Sequence, residues 1–120
     1  SDDWMGRWAR FVRASGLDVV AAQNLAGQGL MPSHGDDNRD YWAPSAQQIC
    51  ASVRRLADEA PAAQAIAISG AGSRTLSLIG ALEGETERPI FGSDTALYRA
   101  LAIAAGVRLK PGILGAITNA

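Results

Sequence analysis

Ser69, Gly70, Ala71, Gly72 and Ser73 stand in a row between an apolar run and an amphipathic one, and this is where the sequence could hold a ligand. Glycines let the backbone turn sharply and approach a bound molecule closely. A strand-to-helix turn also directs backbone N–H groups outward at the positive end of a helix dipole, where a carboxylate or phosphate is the natural occupant. Ser69 could hydrogen-bond that anion or cap its own strand. Ser93 and Asp94 follow the next apolar run and would lie on the same sheet edge, where ligands of open α/β sheets bind; helix capping is their alternative role. His34 could act as an acid or base, or be a solvated loop residue. Arg74 could pair a carboxylate or lie in solvent. Cys50 falls in the middle of a helical stretch and reads as a small buried hydrophobe rather than a nucleophile. A lone histidine and a lone cysteine, far apart, do not make a metal cluster or a Cys/His catalytic pair.

The elements that must position these residues follow from periodicity. Asp2, Asp3 and Trp4 to Ala14 read as a first helix with Trp4, Trp8, Phe11 and Val12 on one face. Gly16 closes it, and Leu17 to Ala21 reads as a strand. Gln23 to Ala43 has no period and is expected to be a long loop, with Tyr41 and Trp42 as a lid or an anchor. Pro44 and Ser45 open a second helix to about Glu59, with Ile49, Val53 and Leu56 inward. Ala65 to Ser69 is a strand buried on both faces. Ser73 or Thr75 caps a third helix whose Leu76, Ile79 and Leu82 face the sheet. Pro89 to Ser93 is a third strand. Ser93 or Asp94 caps a last helix, with Leu97, Leu101 and Ala104 inward and Gly106 at its end; Pro111-Gly112 marks a turn in the tail.

Alternating helices and strands predict one α/β domain over residues 1–120 with a parallel sheet. The chain opens on a helix, whereas the first strand of a doubly wound domain sits in mid-sheet. A strand before Ser1 is therefore expected, and its gap predicts association. The chain has 120 residues and a net charge of -1, which argues against a nucleic-acid or membrane-surface partner. Its apolar runs are too short to span a bilayer. With one cysteine and no leader pattern at Ser1, a cytoplasmic location is expected.

The runs AIAISGAGSRTLSLIGALE and RPIFGSDTALYRALAIAAG together resemble the C-terminal half of the aspartate/glutamate racemase superfamily, nearest the maleate isomerase and arylmalonate decarboxylase branch. In that branch a strand ends in Ser-Cys, followed by a small-residue turn and a helix with Thr-Leu near its start. Ser69, Ala71-Gly72 and Thr75-Leu76 match those places, and Pro89, Ser93, Tyr98 and Arg99 match a second, proline-led strand and its helix. The opening RASGLDVV and the approach DEAPAAQAIAIS also fit. The sequence departs from the pattern where the family carries its cysteine: Gly70 stands there.

The resemblance implies a flavodoxin-like three-layer sandwich with a parallel sheet, here lacking its first strand. It also implies one half of a cofactor-independent isomerase, racemase or decarboxylase of small (di)carboxylic acids, such as maleate or an arylmalonate. In the family, a thiolate at a helix N-terminus moves the proton or attacks the substrate, and turn amides hold the carboxylate. Ser69, Gly70, Ala71, Gly72, Ser73, Ser93 and Asp94 would then bind substrate, together with Asn38, whose Asp-Asn pair resembles a substrate-binding loop of some maleate isomerases. No metal or organic cofactor is implied. The thiol would come from an N-terminal half, and this chain alone would be inactive. Two other readings stand beside this one. The first is a non-catalytic module that binds a small acid or a protein. The second is an unrelated flavodoxin-like receiver domain, for which only Asp94 offers an acidic residue at a strand end.

Overall fold

The computed structural model describes residues 2–31, 44–70 and 73–119. Its elements run α1 (Asp2–Ala14), α2 (Ala46–Glu59), β1 (Ile66–Ile68), α3 (Ile79–Thr86), β2 (Ile90–Gly92), α4 (Ser93–Ala104) and a short 3-10 helix (Gly115–Asn119). The two strands pair in parallel, Ile66 opposite Ile90 and Ile68 opposite Gly92. A parallel pair needs a crossover, and α3 supplies it. The architecture is mixed α/β with a small two-stranded sheet.

One apolar cluster holds these elements together. Ile49, Val53 and Ala57 come from α2, Ile66 from β1, Ile79 and Leu82 from α3, and Ile90 from β2. Burying each of the larger side chains contributes about 1.5–3 kcal/mol. Cys50 is half-buried beside this cluster, the place expected of a small hydrophobe. Ser45 caps α2 as the sequence predicts. Its hydroxyl accepts from the Gln48 N–H, and the Gln48 side chain accepts from the Ser45 N–H. At the other end Arg88 reaches across from the loop before β2. Its guanidinium donates to the carbonyls of Ala57, Ala60 and Pro61, so a cation covers the negative end of α2. An exposed Arg54–Glu85 pair links α2 to α3. It raises the arginine's pKa and lowers the glutamate's through their mutual hydrogen bond.

The stretch from Gln23 was expected to be irregular, and its described part is a turn fastened to α2. Gln28 is buried, donates to the Ser52 carbonyl and accepts from the Ser52 hydroxyl. Arg55 donates to the Gln28 carbonyl, and Gln48 to that of Leu30. His34, Asn38, Tyr41 and Trp42 lie outside the described residues.

Five expectations are corrected. The strand at Ala65 to Ser69 is not buried on both faces: Ile66 is buried and Ile68 half-buried on one, but Ala67 on the other is exposed. Leu17 to Ala21 is not a strand: Leu17 and Val20 are 60% and 58% exposed, and among the described residues no strand lies alongside to complete a ladder. The Arg13 guanidinium instead takes the Val19 carbonyl. Phe11 does not share a buried face with Trp8 but is 72% exposed, and Ala9 is the buried residue of α1. The third helix begins at Ile79 rather than at Ser73 or Thr75, so Leu76 lies in a turn and is exposed. Finally, α4 turns Thr95 and Ala102 inward and leaves Leu97, Leu101 and Ala104 exposed, because its cap is Gly92 and not Ser93 or Asp94. The Gly92 N–H donates to the Thr95 hydroxyl, which fixes Thr95 as the inward residue of the first turn.

Candidate functional site

In a parallel sheet the carboxyl ends of all strands lie on one edge, so Ser69-Gly70 after β1 and Ser93-Asp94 after β2 are brought side by side. The Gly70 N–H donates to Ser93 Oγ at 3.3 Å. Within the turn the Ser73 N–H donates to the Gly70 carbonyl at 3.2 Å. Ser69 and Ser93 are exposed and Ser73 is half-buried. Ser69, Gly70, Ser73, Ser93 and Asp94 therefore form one constellation, as the sequence predicts. Ala71, Gly72 and Asn38 lie outside the described residues.

Asp94 takes a position that the sequence did not disclose. Its carboxylate accepts from the Thr75 N–H at 2.8 Å, the Leu76 N–H at 3.3 Å, the Thr95 N–H at 2.9 Å and the Thr75 hydroxyl. Thr75 and Thr95 are both fully buried. Burial by itself raises the carboxyl pKa, but the hydrogen bonds from Thr75, Thr95 and Leu76 outweigh it and hold the pKa below the ordinary aspartate value. The anion-seeking amides ahead of α3 are thus occupied by a carboxylate of the chain itself. The same clasp explains the late start of the helix: Thr75 and Leu76 are held by Asp94, and the Thr75 carbonyl accepts from the Leu78 and Ile79 N–H groups to begin the first turn. Gly92 must be glycine here, since a Cβ on it would lie 2.6 Å from Asp94 Oδ1 and closer still to the Thr75 hydroxyl.

Gly70 has φ +131°, a conformation that side-chain-bearing residues rarely adopt, although the space beside it is open apart from Ser73 Oγ at 3.6 Å. Backbone conformation, rather than crowding, selects glycine at the position where the resemblance places a cysteine.

Beside this edge opens a groove of about 620 Å³ between α1, the segment 17–25, α2 and β1. Trp4, Trp8, Leu17, Ile68 and Phe91 line it, and Ser69 and Ser73 stand at its border with the turn. Sequence reasoning missed this groove, since its walls are residues read as strand and core. Thr75 was read only as a helix cap, yet an Asp-Thr pair one residue after a strand, with a second threonine at the facing turn, is the signal that could have revealed the clasp.

Among the described residues no group of His, Cys, Asp or Glu could hold a metal ion. Among the same residues no helix is long and apolar enough to cross a membrane. No protein-family model matches this sequence, and no curated protein matches it.

Proposed function

We propose that this chain is the carboxylate-binding half of a cofactor-independent isomerase, racemase or decarboxylase acting on a small (di)carboxylic acid such as maleate or an arylmalonate. The observation that carries the reading is the convergence of Ser69, Gly70, Ser73 and Ser93 on one exposed sheet edge, bordering an open groove. Two hydroxyls and a turn amide there can exchange their internal bonds for a ligand carboxylate, with Asp94 holding the turn from behind. The fold belonging to this reading is the flavodoxin-like three-layer sandwich. An N-terminal half or a second copy completes the site, the thiol comes from the N-terminal half, and the chain alone is inactive. The location that goes with it is the cytoplasm.

A second reading is favoured by one specific observation. Gly70 is held at φ +131°, where a cysteine would be strained. That suits a module which binds a small acid without transforming it. Both readings require carboxylate binding at the turn. Titrating maleate and phenylmalonate into the ¹⁵N-labelled protein should shift the Gly70, Ser73 and Ser93 amides while leaving those of α2 in place. Unmoved amides at millimolar ligand would refute both. Isomerisation or decarboxylation by a longer protein containing this chain would then separate catalysis from binding.

A further inference from the structure

We infer that the groove beside β1 is a strand slot: one extended peptide strand, with an uncharged and continuously apolar run of about five residues, inserts there and pairs with β1. The sheet turns one edge toward the groove. The Ile66 N–H donates to the Pro89 carbonyl, so in the parallel register Ile66 and Ile68 direct their N–H and C=O groups at β2. Ala67, between them, directs both of its groups the other way. Among the described residues no strand lies on that side, and the Ala67 N–H and C=O have no hydrogen-bond partner. Ala65, Ala67 and Ser69 all line the groove.

The edge itself identifies its occupant. Natural proteins blunt an edge that must stay unpaired with charge, proline or a bulge. Gln64 to Ser69 reads QAIAIS and carries neither charge nor proline. Such an edge is satisfied by backbone N–H and C=O groups repeating at strand spacing, which neither a helix nor a small molecule presents. The far wall is the segment from Leu17 to Ala21, which has strand composition without a ladder and leaves Leu17 and Val20 exposed. A strand in the slot gives both walls a neighbour at once. The walls also set its side chains. Trp4, Trp8 and Val12 of α1 line the groove with Ile49, Val53 and Leu56 of α2. Among the described residues its charged lining is Asp18 and Arg88, and the Arg88 guanidinium is already held by carbonyls at the end of α2. A strand flanked by apolar walls is apolar at consecutive positions rather than alternate ones. From Ala65 to Ser69 the edge is about 17 Å long, which fits about five residues. The slot lies beside the turn and does not require that the turn bind a carboxylate.

The probe is the peptide Ac-Lys-Val-Ile-Val-Ile-Val-Lys-NH2, its lysines added for solubility, and the readout is amide hydrogen exchange by NMR on the ¹⁵N-labelled full chain. Without peptide, the Ala67 N–H should exchange at least about tenfold faster than those of Ile66 and Ile68, which face β2. With about 1 mM peptide it should slow at least about tenfold, and the amides of Leu17 to Ala21 should shift. The same peptide N-methylated throughout its apolar run keeps its apolar surface but cannot donate to a ladder, and it should leave Ala67 unprotected. Ala67→Pro removes only an outward N–H on an edge strand, where proline is tolerated. It should keep the circular dichroism of the wild type and weaken peptide binding at least about tenfold. The N-methylated control decides the question even if this variant does not fold. Equal protection by both peptides would make the groove a general apolar pocket. Protection that grows with protein concentration in the absence of peptide would assign it to a second copy. Either result, or an Ala67 N–H that no peptide slows, would overturn the proposal.

Discussion

Removing the Asp94 carboxylate should cost a large share of the stability of this domain. Four donors converge on it, and three of them, the N–H and hydroxyl of Thr75 and the N–H of Thr95, belong to residues with no exposure. In Asp94→Ala those three donors lose their acceptor. A stranded buried donor costs about 1–3 kcal/mol, while the Leu76 N–H, in an exposed residue, recovers a solvent bond at little cost. Taken at the low end for the three, the sum is roughly 3–4 kcal/mol, against a total of about 5–15 kcal/mol for a domain of this kind. With a urea slope of about 2 kcal/mol/M, the midpoint should fall by nearly 2 M with the slope unchanged. Asp94→Asn keeps one acceptor oxygen and should lose about half as much. The pH dependence follows from the sign of the shift. The folded-state pKa lies below the unfolded one, so this contribution is fully present above the ordinary aspartate pKa near 4 and is lost as pH falls through the lower folded value. As pH falls below the ordinary aspartate value, the difference between wild type and Asp94→Asn in urea titrations should therefore shrink. A loss below about 1 kcal/mol at neutral pH, or an Asp94→Asn protein with undiminished acid sensitivity, would refute the clasp.

Two further perturbations test the frame around the turn. Gly70→Ala should destabilise by about 1–3 kcal/mol through backbone strain at φ +131°, with the amide shifts of Ser73 and Ser93 moving most in an ¹⁵N spectrum. An equal cost for Gly80→Ala, in α3, would contradict the strain argument, because alanine there should stabilise. Arg88→Ala removes three carbonyl bonds from the end of α2 and should cost about 1.5–3 kcal/mol, measured by urea unfolding, with faster hydrogen exchange in the last turn of α2. Arg88→Lys should recover only part of this, since an ammonium cannot reproduce the planar fork.

Local signals in the sequence located the framework well. The Ser45–Gln48 capping box, the glycine closing α1 and the apolar runs of β1 and β2 each act within a few residues, and each element lies where its signal falls. The co-location of Ser69, Gly70, Ser73, Ser93 and Asp94 was also legible, because parallel pairing alone forces successive strand ends to one edge. What failed depended on partners distant in the chain. Leu17 to Ala21 has strand composition but, among the described residues, no neighbouring strand to pair with. The residues Leu97, Leu101 and Ala104 form a valid apolar stripe, but the Gly92–Thr95 cap rotates α4 so that a different stripe meets the sheet. The Asp94–Thr75 clasp spans 19 residues, and no local periodicity encodes it.

The clasp constrains how any carboxylic acid could bind. The Thr75 and Leu76 amides preceding α3 attract anions on this edge, and Asp94 already accepts from them. A second carboxylate at the same point would face a like charge in a half-buried setting, which is unfavourable. In the proposed reading a ligand carboxylate would then sit on the Gly70–Ser73 side of the turn, where it would compete with the 3.3 Å Gly70 N–H to Ser93 bond between uncharged groups. A charged acceptor is roughly twice as strong a partner for an N–H as a neutral hydroxyl, so the exchange is favourable. The geometry also divides the two functional readings. Binding requires only that Ser93 release one amide, whereas chemistry at this turn requires a reactive side chain at a position whose backbone favours glycine. In the proposed reading a thiol delivered by an N-terminal half satisfies both conditions, and a thiol introduced at Gly70 must first force the backbone away from φ +131°. On the proposed reading, the test of catalysis therefore lies in a longer protein that brings a thiol to this edge rather than in restoring a cysteine within it.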